Sequence, residues 1–402
     1  MAQSCNRNTP VQMDVYDNNA FNGKDDFPRK ILSQLLGSNG PVHAVTYSAS
    51  PGTYILTGSA DRSIRLYNPI PASPSSSTTT TTTSSTTFIT KPSQAPSTTP
   101  PQGRLIQTYT SHGYEVLSLS VSSSNATFAS SGGDRAVFLW DVSTATTIRR
   151  FSNQGHTTGR INSVIFAGVD DSLLISGGHD TTVRIWDVRS QSSSRPVQVL
   201  GEAKDGITSL AVSPGGAGAE VLAGSVDGRV RTYDVRMGRL VTDVFPGAVT
   251  SLCLARDGKT VLVGSLDSKI RLMDRSNGQC LRTYGGDGNA NGDAAGGWTN
   301  KEIRVQSVLG GGERWVVAGD ENGAENSNGE GRVWTWDLLT GKLVAKLGVP
   351  WGPGGGKVVV GRDGKEKERK NVVSCVAWKD GGFGNQFCVG GTSGVVTVYG
   401  EA

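Results

Sequence analysis

Apolar and small polar residues alternate in short segments along most of this chain. Residues 115–121 (EVLSLSV) and 127–130 (TFAS) are examples, and small or acidic residues separate one segment from the next. A period of two is typical of β-strands that bury one face. Glycine is abundant, with 54 of 402 residues, and suits tight turns between strands. The sequence therefore predicts many short strands and gives no sign of long charged helices.

One sequence motif recurs seven times along the chain. Each copy has a small-residue turn, an Asp or a substitute, and a strand that closes on an aromatic residue or Met. The copies span residues 58–68, 132–141, 177–187, 224–234, 264–274, 319–337 and 390–399. The middle copies have the period of roughly 40–45 residues that is typical of propeller blades. We therefore predict an all-β, seven-bladed β-propeller with four antiparallel strands, a to d from the axis outward, in each blade.

These copies resemble the WD-repeat family, and the resemblance covers most of the chain. In that family a His before strand a, a Ser or Thr in strand b, the turn Asp and a Trp in strand c form a hydrogen-bonded set. The resemblance implies this set for His112, Ser130, Asp134 and Trp140 in blade two and for His156, Ser176, Asp180 and Trp186 in blade three. Blade one keeps Thr57 and Asp61 but has Tyr67 in place of Trp. We expect the two complete sets to stiffen their blades.

The ring must be closed by the N-terminal part of the chain. The last copy ends just before the C-terminus, so blade seven lacks an outer strand of its own. Residues 29–36 precede the first strand a and are predicted to supply that strand, which removes exposed sheet edges. The domain is expected to span 29–400, after a flexible N-terminal segment at 1–28.

Four insertions interrupt the repeat. Residues 71–102 form a Ser/Thr/Pro tract with few large apolar residues, which predicts a disordered connection between strands c and d of blade one. Residues 285–297, 321–331 and 350–371 lie in d–a or b–c connections, which the family geometry places on the opposite, top face. They are either binding loops near blades five to seven or tolerated loop growth.

Charge and cysteine usage exclude several classes of protein. The formal net charge of +4 is too small to predict direct nucleic-acid binding, and acidic residues interrupt the basic run at 357–370. The five cysteines lack C-x-x-C spacing, which favours reduced thiols. The polar N-terminus predicts no secretory signal, and no apolar run reaches the length of a membrane span.

The sequence offers no catalytic, metal or cofactor motif. Only four histidines are present, and two of them belong to the blade sets. The stretch at 354–357 (GGGK) resembles a phosphate loop, but Val358 follows where Ser or Thr is required. We therefore predict a protein that is not an enzyme and has no cofactor.

Several stretches resemble one branch of the family more closely, the mitogen-activated protein kinase organizer proteins. They are residues 112–117, 132–137, 203–206, 222–231, 233–238 and 264–267. This resemblance implies a scaffold that binds members of a kinase cascade or spliceosomal components in pre-mRNA splicing. It also implies a monomer within larger complexes, in the nucleus and cytoplasm.

Four residues of the matched region are expected in top-face connections: Tyr114, Glu115, Arg135 and Asp205. An aromatic residue beside fixed charges on rigid loops is a plausible interface anchor. The alternative is that Tyr114 and Glu115 only shape the entry to strand a.

A second hypothesis comes from residues 186–189 (WDVR) and 233–236 (YDVR). They resemble the W-D-x-R ending of propellers that serve as substrate receptors of cullin ubiquitin ligases. This hypothesis places Arg189 and Arg236 together on the bottom of adjacent blades.

Deletion of residues 1–36 tests the closing strand. Without it, blade seven keeps three strands and exposes an unpaired edge. We expect an insoluble protein or a sharply lower melting temperature in a thermal-denaturation scan. An unchanged melting temperature would contradict the predicted closure.

Overall fold

A computed structural model describes residues 27–71, 100–152, 159–190, 195–213, 220–285, 297–323, 330–353, 358–360, 366–368, 370–381 and 384–401. These residues form seven four-stranded antiparallel sheets and one two-stranded hairpin. The chain is thus a seven-bladed β-propeller, and the fold predicted from the repeats is confirmed.

In blades one to six the four strands follow one another along the chain, in the order a to d. Blade one has Val42–Tyr47, Ile55–Ser59, Ser63–Pro71 and Gly103–Thr110. Blade two has Val116–Val121, Thr127–Gly132, Val137–Asp141 and Thr147–Phe151. Blade three has Ile161–Ala167, Leu173–Gly178, Val183–Asp187 and Gln198–Leu200, with a 3-10 turn at Val169–Asp171. Blade four has Ile207–Val212, Glu220–Ser225, Arg229–Asp234 and Arg239–Val244.

The remaining blades follow the same plan. Blade five has Val249–Leu254, Thr260–Ser265, Lys269–Asp274 and Cys280–Tyr284. Blade six has Ser307–Gly310, Trp315–Gly319, Gly331–Asp337 and Leu343–Val349. Blade seven has Val373–Trp378, Gln386–Gly391 and Val396–Gly400, with Lys30–Leu35 as its strand d. The hairpin of Val358–Val360 and Glu366–Glu368 lies in the connection from blade six to blade seven.

The two ends of the chain pair in blade seven. Strand Lys30–Leu35 runs antiparallel to Val396–Gly400, in a register from Lys30 opposite Gly400 to Leu35 opposite Val396. Leu35 is 2% exposed, and the Tyr67 hydroxyl donates to the Leu36 carbonyl oxygen at 2.8 Å. This strand was predicted from the sequence at 29–36.

The N-terminal boundary of the ordered part differs from the sequence expectation. Phe27 was assigned to a flexible segment at 1–28, yet it is 4% exposed and packs against Trp315, Trp378 and Phe387. Three aromatic side chains from blades six and seven form the pocket that it fills. This contact could not be read from the local sequence, and residues 1–26 lie outside the described part of the chain.

The core lies between adjacent sheets. Strands b and c are buried on both faces because each blade stacks on two neighbours, as in Ile55–Ser59 and Val137–Phe138. The outer strands are largely exposed, as in Arg239–Val244 of blade four. The predicted disordered tract at 71–102 joins strands c and d of blade one, and most of it lies outside the described residues.

Serine side chains join the inner strands of neighbouring blades. Ser118 Oγ accepts from the Val164 backbone N–H at 3.1 Å, and Ser209 Oγ accepts from that of Leu252 at 3.1 Å. Strand a is the inner edge of its sheet, so these N–H donors have no backbone partner there. The small polar positions of the alternating strand a therefore hydrogen-bond the next blade.

The hydrogen-bonded set of blade two is present in full. His112 Nδ1 lies 2.5 Å from Asp134 Oδ2, and His112 Nε2 lies 2.7 Å from Ser130 Oγ. Trp140 Nε1 donates to the same Ser130 Oγ at 2.8 Å. The set links the d–a connection, strand b, the b–c turn and strand c in one buried network.

Blade three contains part of the same set in its described residues and adds an ion pair. Trp186 Nε1 donates to Ser176 Oγ at 2.9 Å, whereas Asp180 Oδ2 accepts from Arg184 at 2.7 Å. His156 lies outside the described residues. The turn Asp of this blade is thus bound by an arginine four residues later.

The same ion pair recurs in four blades and was missed in the sequence. It joins the turn Asp to an Arg of strand c in the pairs Asp61–Arg65, Asp180–Arg184, Asp227–Arg231 and Asp267–Arg271. Burial alone would raise the pKa of the Asp227 carboxyl. The hydrogen bonds from Arg231, the Lys204 backbone and Ser225, together with the Arg231 charge, outweigh it, and the pKa lies below its usual value. The Asp-x-x-x-Arg spacing was visible in the repeats. In each of these four blades the pair anchors the b–c turn to strand c.

Replacing Arg231 with Met tests the strength of such a pair. Arg231 is 3% exposed, so its loss leaves the Asp227 carboxylate buried without its counter-charge. We expect a loss of about 3 kcal/mol in the free energy of unfolding at pH 7, measured by urea denaturation. Asp227→Asn combined with Arg231→Met should recover part of the loss.

The destabilisation caused by Arg231→Met should become smaller at acidic pH. Asp227 has a lowered pKa in the folded state, so its contribution is complete above the unfolded pKa of about 3.9. It is lost as the pH falls through the folded pKa. The difference between the wild type and Arg231→Met should therefore shrink below about pH 4, and a constant difference would contradict the ion-pair account.

Candidate functional site

Tyr114 and Glu115 lie in the connection from strand d of blade one to strand a of blade two. The Gly113 backbone N–H donates to Asp134 Oδ1 at 2.8 Å, and the Gly133 N–H donates to the Glu115 carbonyl oxygen at 3.1 Å. A Cβ atom at Gly132 would lie 1.9 Å from that same oxygen. The connection therefore packs so closely on the neighbouring turn that only glycine fits there. It presents Tyr114 with 63% of its surface exposed.

A groove of about 550 Å³ runs between blades one and two on this face. Its lining residues are Ala60, Arg62, Gly113, Tyr114, Glu115 and Gly133. The groove combines an aromatic ring, a cation and a carboxylate on fixed backbone. Such amphipathic side chains on rigid loops are typical anchors of protein interfaces.

Two arginines near the groove have a strained backbone. Arg62 has φ of 70° and Arg135 has φ of 56°, and both directly follow the turn Asp of their blade. Blades four and seven place Gly228 and Gly394 in the corresponding b–c turns, each with φ of 74°. A residue with a Cβ atom loses roughly 1–2 kcal/mol in this left-handed region. Non-glycine residues in such conformations are often found at functional sites.

The mouth of the central channel opens beside the groove. Arg160 Nη1 lies 3.7 Å from Glu115 Oε1, and His43 Nε2 lies 3.9 Å from Glu115 Oε2. Burial lowers the pKa of His43 by more than the charge of Glu115 raises it. The net lowering favours the uncharged ring. Glu115 therefore belongs to both the groove and the channel mouth.

The remaining predicted site residues lie apart from this cluster. Arg135 is exposed in the turn next to Tyr114, whereas Asp205 is exposed in the connection from blade three to blade four. Arg189 and Arg236 are exposed in corresponding c–d turns of adjacent blades, on the opposite face. Arg189 also approaches Asp170 at 3.9 Å. The structure thus groups Tyr114, Glu115 and Arg135, and it separates them from Asp205 and the two bottom arginines.

Three arginines at this face were overlooked in the sequence: Arg62, Arg160 and Arg304. Arg62 occupies the same turn position as Arg135, one residue after the turn Asp. Arg160 and Arg304 each directly precede the first buried residue of a strand a region, the position held by Glu115 in blade two. Aligning the seven copies at that residue would have revealed both.

The described residues also include potential metal ligands and thiols. Across the described ranges, no group of three or more His, Cys, Asp or Glu residues could hold a metal ion. Burial raises the pKa of the Cys253 thiol to about 11 and that of Cys375 to about 12, so both stay protonated. None of the helical segments in those ranges has the length and hydropathy of a membrane span.

Comparison with known proteins identifies five repeats of a known family in the first 274 residues. The model of the WD domain, G-beta repeat, matches residues 29–68, 103–141, 146–187, 194–234 and 240–274. WD repeat domain-containing protein 83 from Rattus norvegicus is 36% identical over 324 residues, which cover 81% of this chain and 84% of the relative. The Homo sapiens protein of the same name is 36% identical over 329 residues, covering 82% and 85%. A homologue of it in Dictyostelium discoideum is 30% identical over 344 residues, covering 79% and 87%.

Arg62→Gly and Arg135→Gly test the strain at the groove. Glycine removes the steric strain of the left-handed conformation but gives the unfolded chain more conformational freedom. We therefore expect the free energy of unfolding to rise by about 0.5–1 kcal/mol per site. The measurement is urea denaturation of each variant. Thr181→Gly, with φ of 65° in blade three, is the matched control away from the groove. Destabilised Arg variants beside a stabilised Thr181 variant would show that the arginines serve the fold.

Proposed function

The chain belongs to the WD-repeat family as a homologue of WD repeat domain-containing protein 83, and on that premise we propose that it is a non-catalytic scaffold whose protein partners dock at the Tyr114 groove. The observation that carries the proposal is the exposed Tyr114 on a connection held by glycine contacts. An aromatic ring that is ordered before binding loses little conformational freedom when a partner covers it.

The charged neighbours support the same surface. Arg62 and Glu115 line the groove, and Arg135 projects from the adjacent turn. Charges at the rim of an interface steer association and suppress wrong partners more than they add affinity. Thr181 and Ser268 hold the same turn position in blades three and five with positive φ, so this conformation belongs to the b–c turn. What distinguishes Arg62 and Arg135 is that they place a charge beside the groove.

We propose spliceosomal components or members of a mitogen-activated protein kinase cascade as the partners. The support is the resemblance of residues 112–117 and 132–137 to the organizer branch, because these stretches build the groove itself. Both roles require binding only. They are consistent with a monomeric subunit of larger complexes that acts in the nucleus and cytoplasm.

The alternative function is that of a substrate receptor of a cullin-type ubiquitin ligase. Arg189 and Arg236 occupy corresponding turns on the bottom face, and their backbone N–H groups donate to Asp187 at 2.8 Å and Asp234 at 3.0 Å. The two arginines are therefore presented in the same way by adjacent blades. An adaptor protein that binds Arg189 and Arg236 would dock on the face opposite the Tyr114 groove.

Affinity purification with two paired variants separates these functions. Tyr114→Ala with Glu115→Arg alters the top face, and Arg189→Ala with Arg236→Ala alters the bottom face by a similar number of exposed side chains. Each variant is purified from nuclear and cytoplasmic fractions, and its partners are identified by mass spectrometry. We expect the top-face variant to lose spliceosomal or kinase-cascade proteins and the bottom-face variant to retain them.

The contrary outcomes are equally definite. An undiminished partner set in a top-face variant with normal thermal stability would remove the Tyr114 groove as the docking site. Loss of a cullin adaptor from the bottom-face variant alone would establish the alternative function.

A further inference from the structure

The connection before blade six carries a fixed arginine into the channel. Trp298 is 2% exposed and its Nε1 donates to the Gly319 carbonyl oxygen at 2.6 Å, while the Asn300 backbone N–H donates to Ser268 Oγ at 3.1 Å. Val305 is 2% exposed at the other end of the same stretch. Arg304 lies between these anchors, so its backbone has little freedom to move.

The Arg304 side chain reaches across the channel. Its Nε donates to the Thr250 carbonyl oxygen of blade five at 3.3 Å, and its Nη1 donates to the Asn162 carbonyl oxygen of blade three at 3.0 Å. The corresponding positions before strand a in blades four and five hold Gly206 and Ala248, which leave room for it. The guanidinium therefore fills the part of the mouth in front of blades four and five.

A cavity of about 360 Å³ remains on the other side of the mouth. Arg304, Arg160 and Glu115 line it together with residues of blades one and seven. The two cross-channel bonds use Nε and Nη1 and leave the Nη2 donors unused. Among the described residues, Nη2 donates no hydrogen bond.

The Arg304 charge lacks a carboxylate partner within the described part of the chain. Both of its bonds go to backbone carbonyl oxygens, and the carboxylates nearby are engaged or remote: Glu115 faces Arg160 and His43, and Glu302 is exposed at the rim. Burial, and then the charge of Arg160, lower the pKa of Arg304 to about 10, so it stays positive at pH 7. A half-buried cation without a counter-charge is less favourable than one paired with an anion.

We propose that the channel mouth binds an acidic side chain, Asp or Glu, of a partner protein, with Arg304 Nη2 and Arg160 as the donors. Arginine binds carboxylates with charge-assisted hydrogen bonds, and a partly buried cavity strengthens them. The rim carboxylates of Glu115 and Glu302 repel a phosphate dianion more than a single carboxylate. This inference rests on the proposed scaffold function, because a segment in the Tyr114 groove can place its acidic residue in the mouth through their shared residue Glu115.

A peptide titration tests the site without a known partner. The probe is acetyl-Gly-Gly-Glu-Gly-Gly-amide, its control is the same peptide with Gln, and binding to the full chain is followed by NMR chemical shifts. We expect the Glu peptide to bind at least roughly five-fold more tightly than the Gln peptide, as one charge-assisted contact provides. Equal binding of the two peptides, or no binding of either, would overturn the proposal.

Charge variants then locate the peptide. Arg160→Ala should weaken binding of the Glu peptide by roughly five-fold, and Glu115→Gln should strengthen it, because the competing carboxylate is gone. Arg236→Ala on the opposite face removes the same charge and should change nothing. If Arg236→Ala weakened binding as much as Arg160→Ala does, the peptide would be attracted by the net charge of the protein and not by the channel mouth.

Two further outcomes are informative. Arg304→Lys keeps the positive charge but cannot bridge Thr250, Asn162 and a ligand. It should therefore weaken binding of the Glu peptide even if the melting temperature is unchanged. Inorganic phosphate that displaced the peptide at lower concentration than acetate would show that the mouth selects a free anion, against the proposal. Peptide binding that persists while the Tyr114 variant keeps all its partners would refute the docking groove and leave the carboxylate site intact.

Discussion

The pairing of the first strand with the last is the interaction on which the whole ring depends. Blade seven takes three strands from the C-terminal end and its outer strand, Lys30–Leu35, from the N-terminal end. Every blade stacks on two neighbours, so one open junction would expose the faces of two sheets at once. Leu35 and Phe27 add apolar contacts to the strand pairing, because Leu35 packs in the core between blades seven and one and Phe27 in that between blades six and seven. The closed ring then holds its connections in fixed positions, which a docking surface requires.

The fold could be predicted because its information is local and repeated. Alternation with a period of two marks strands whose faces differ, and seven copies of the sequence motif set the number of blades. The closing strand was predictable since blade seven otherwise lacks an outer strand. The Asp-x-x-x-Arg pairs were present in the sequence at constant spacing, but they are recognisable as ion pairs only once the b–c turn brings the two side chains to the same face of strand c. The buried position of Phe27 depends on aromatic residues more than 280 positions away along the chain, so no local pattern reveals it.

The candidate site was predictable only in part, for a related reason. Tyr114, Glu115 and Arg135 are close in sequence and on adjacent turns, so the repeat geometry groups them. Arg304 contacts Asn162, which is 142 residues away, because the ring brings seven strands a to one axis. The Arg304 side chain can cross the channel because Gly206 and Ala248 have no large side chains. Such a contact follows from the combined shape of several blades and not from any single repeat.

Glu115 connects the two parts of the surface physically. Its carbonyl oxygen accepts from Gly133 beside the groove, and its carboxylate faces Arg160 and His43 at the channel mouth. A bound partner that changes the charge around Glu115 therefore changes both parts. Both parts keep their positions only if residues 30–35 close the ring, and amide hydrogen exchange followed by mass spectrometry tests that closure most directly. We expect the amides of residues 33–35 to exchange as slowly as those of Val396–Gly400, their partner strand. Fast exchange at 33–35 beside a protected Val396–Gly400 would contradict the closure.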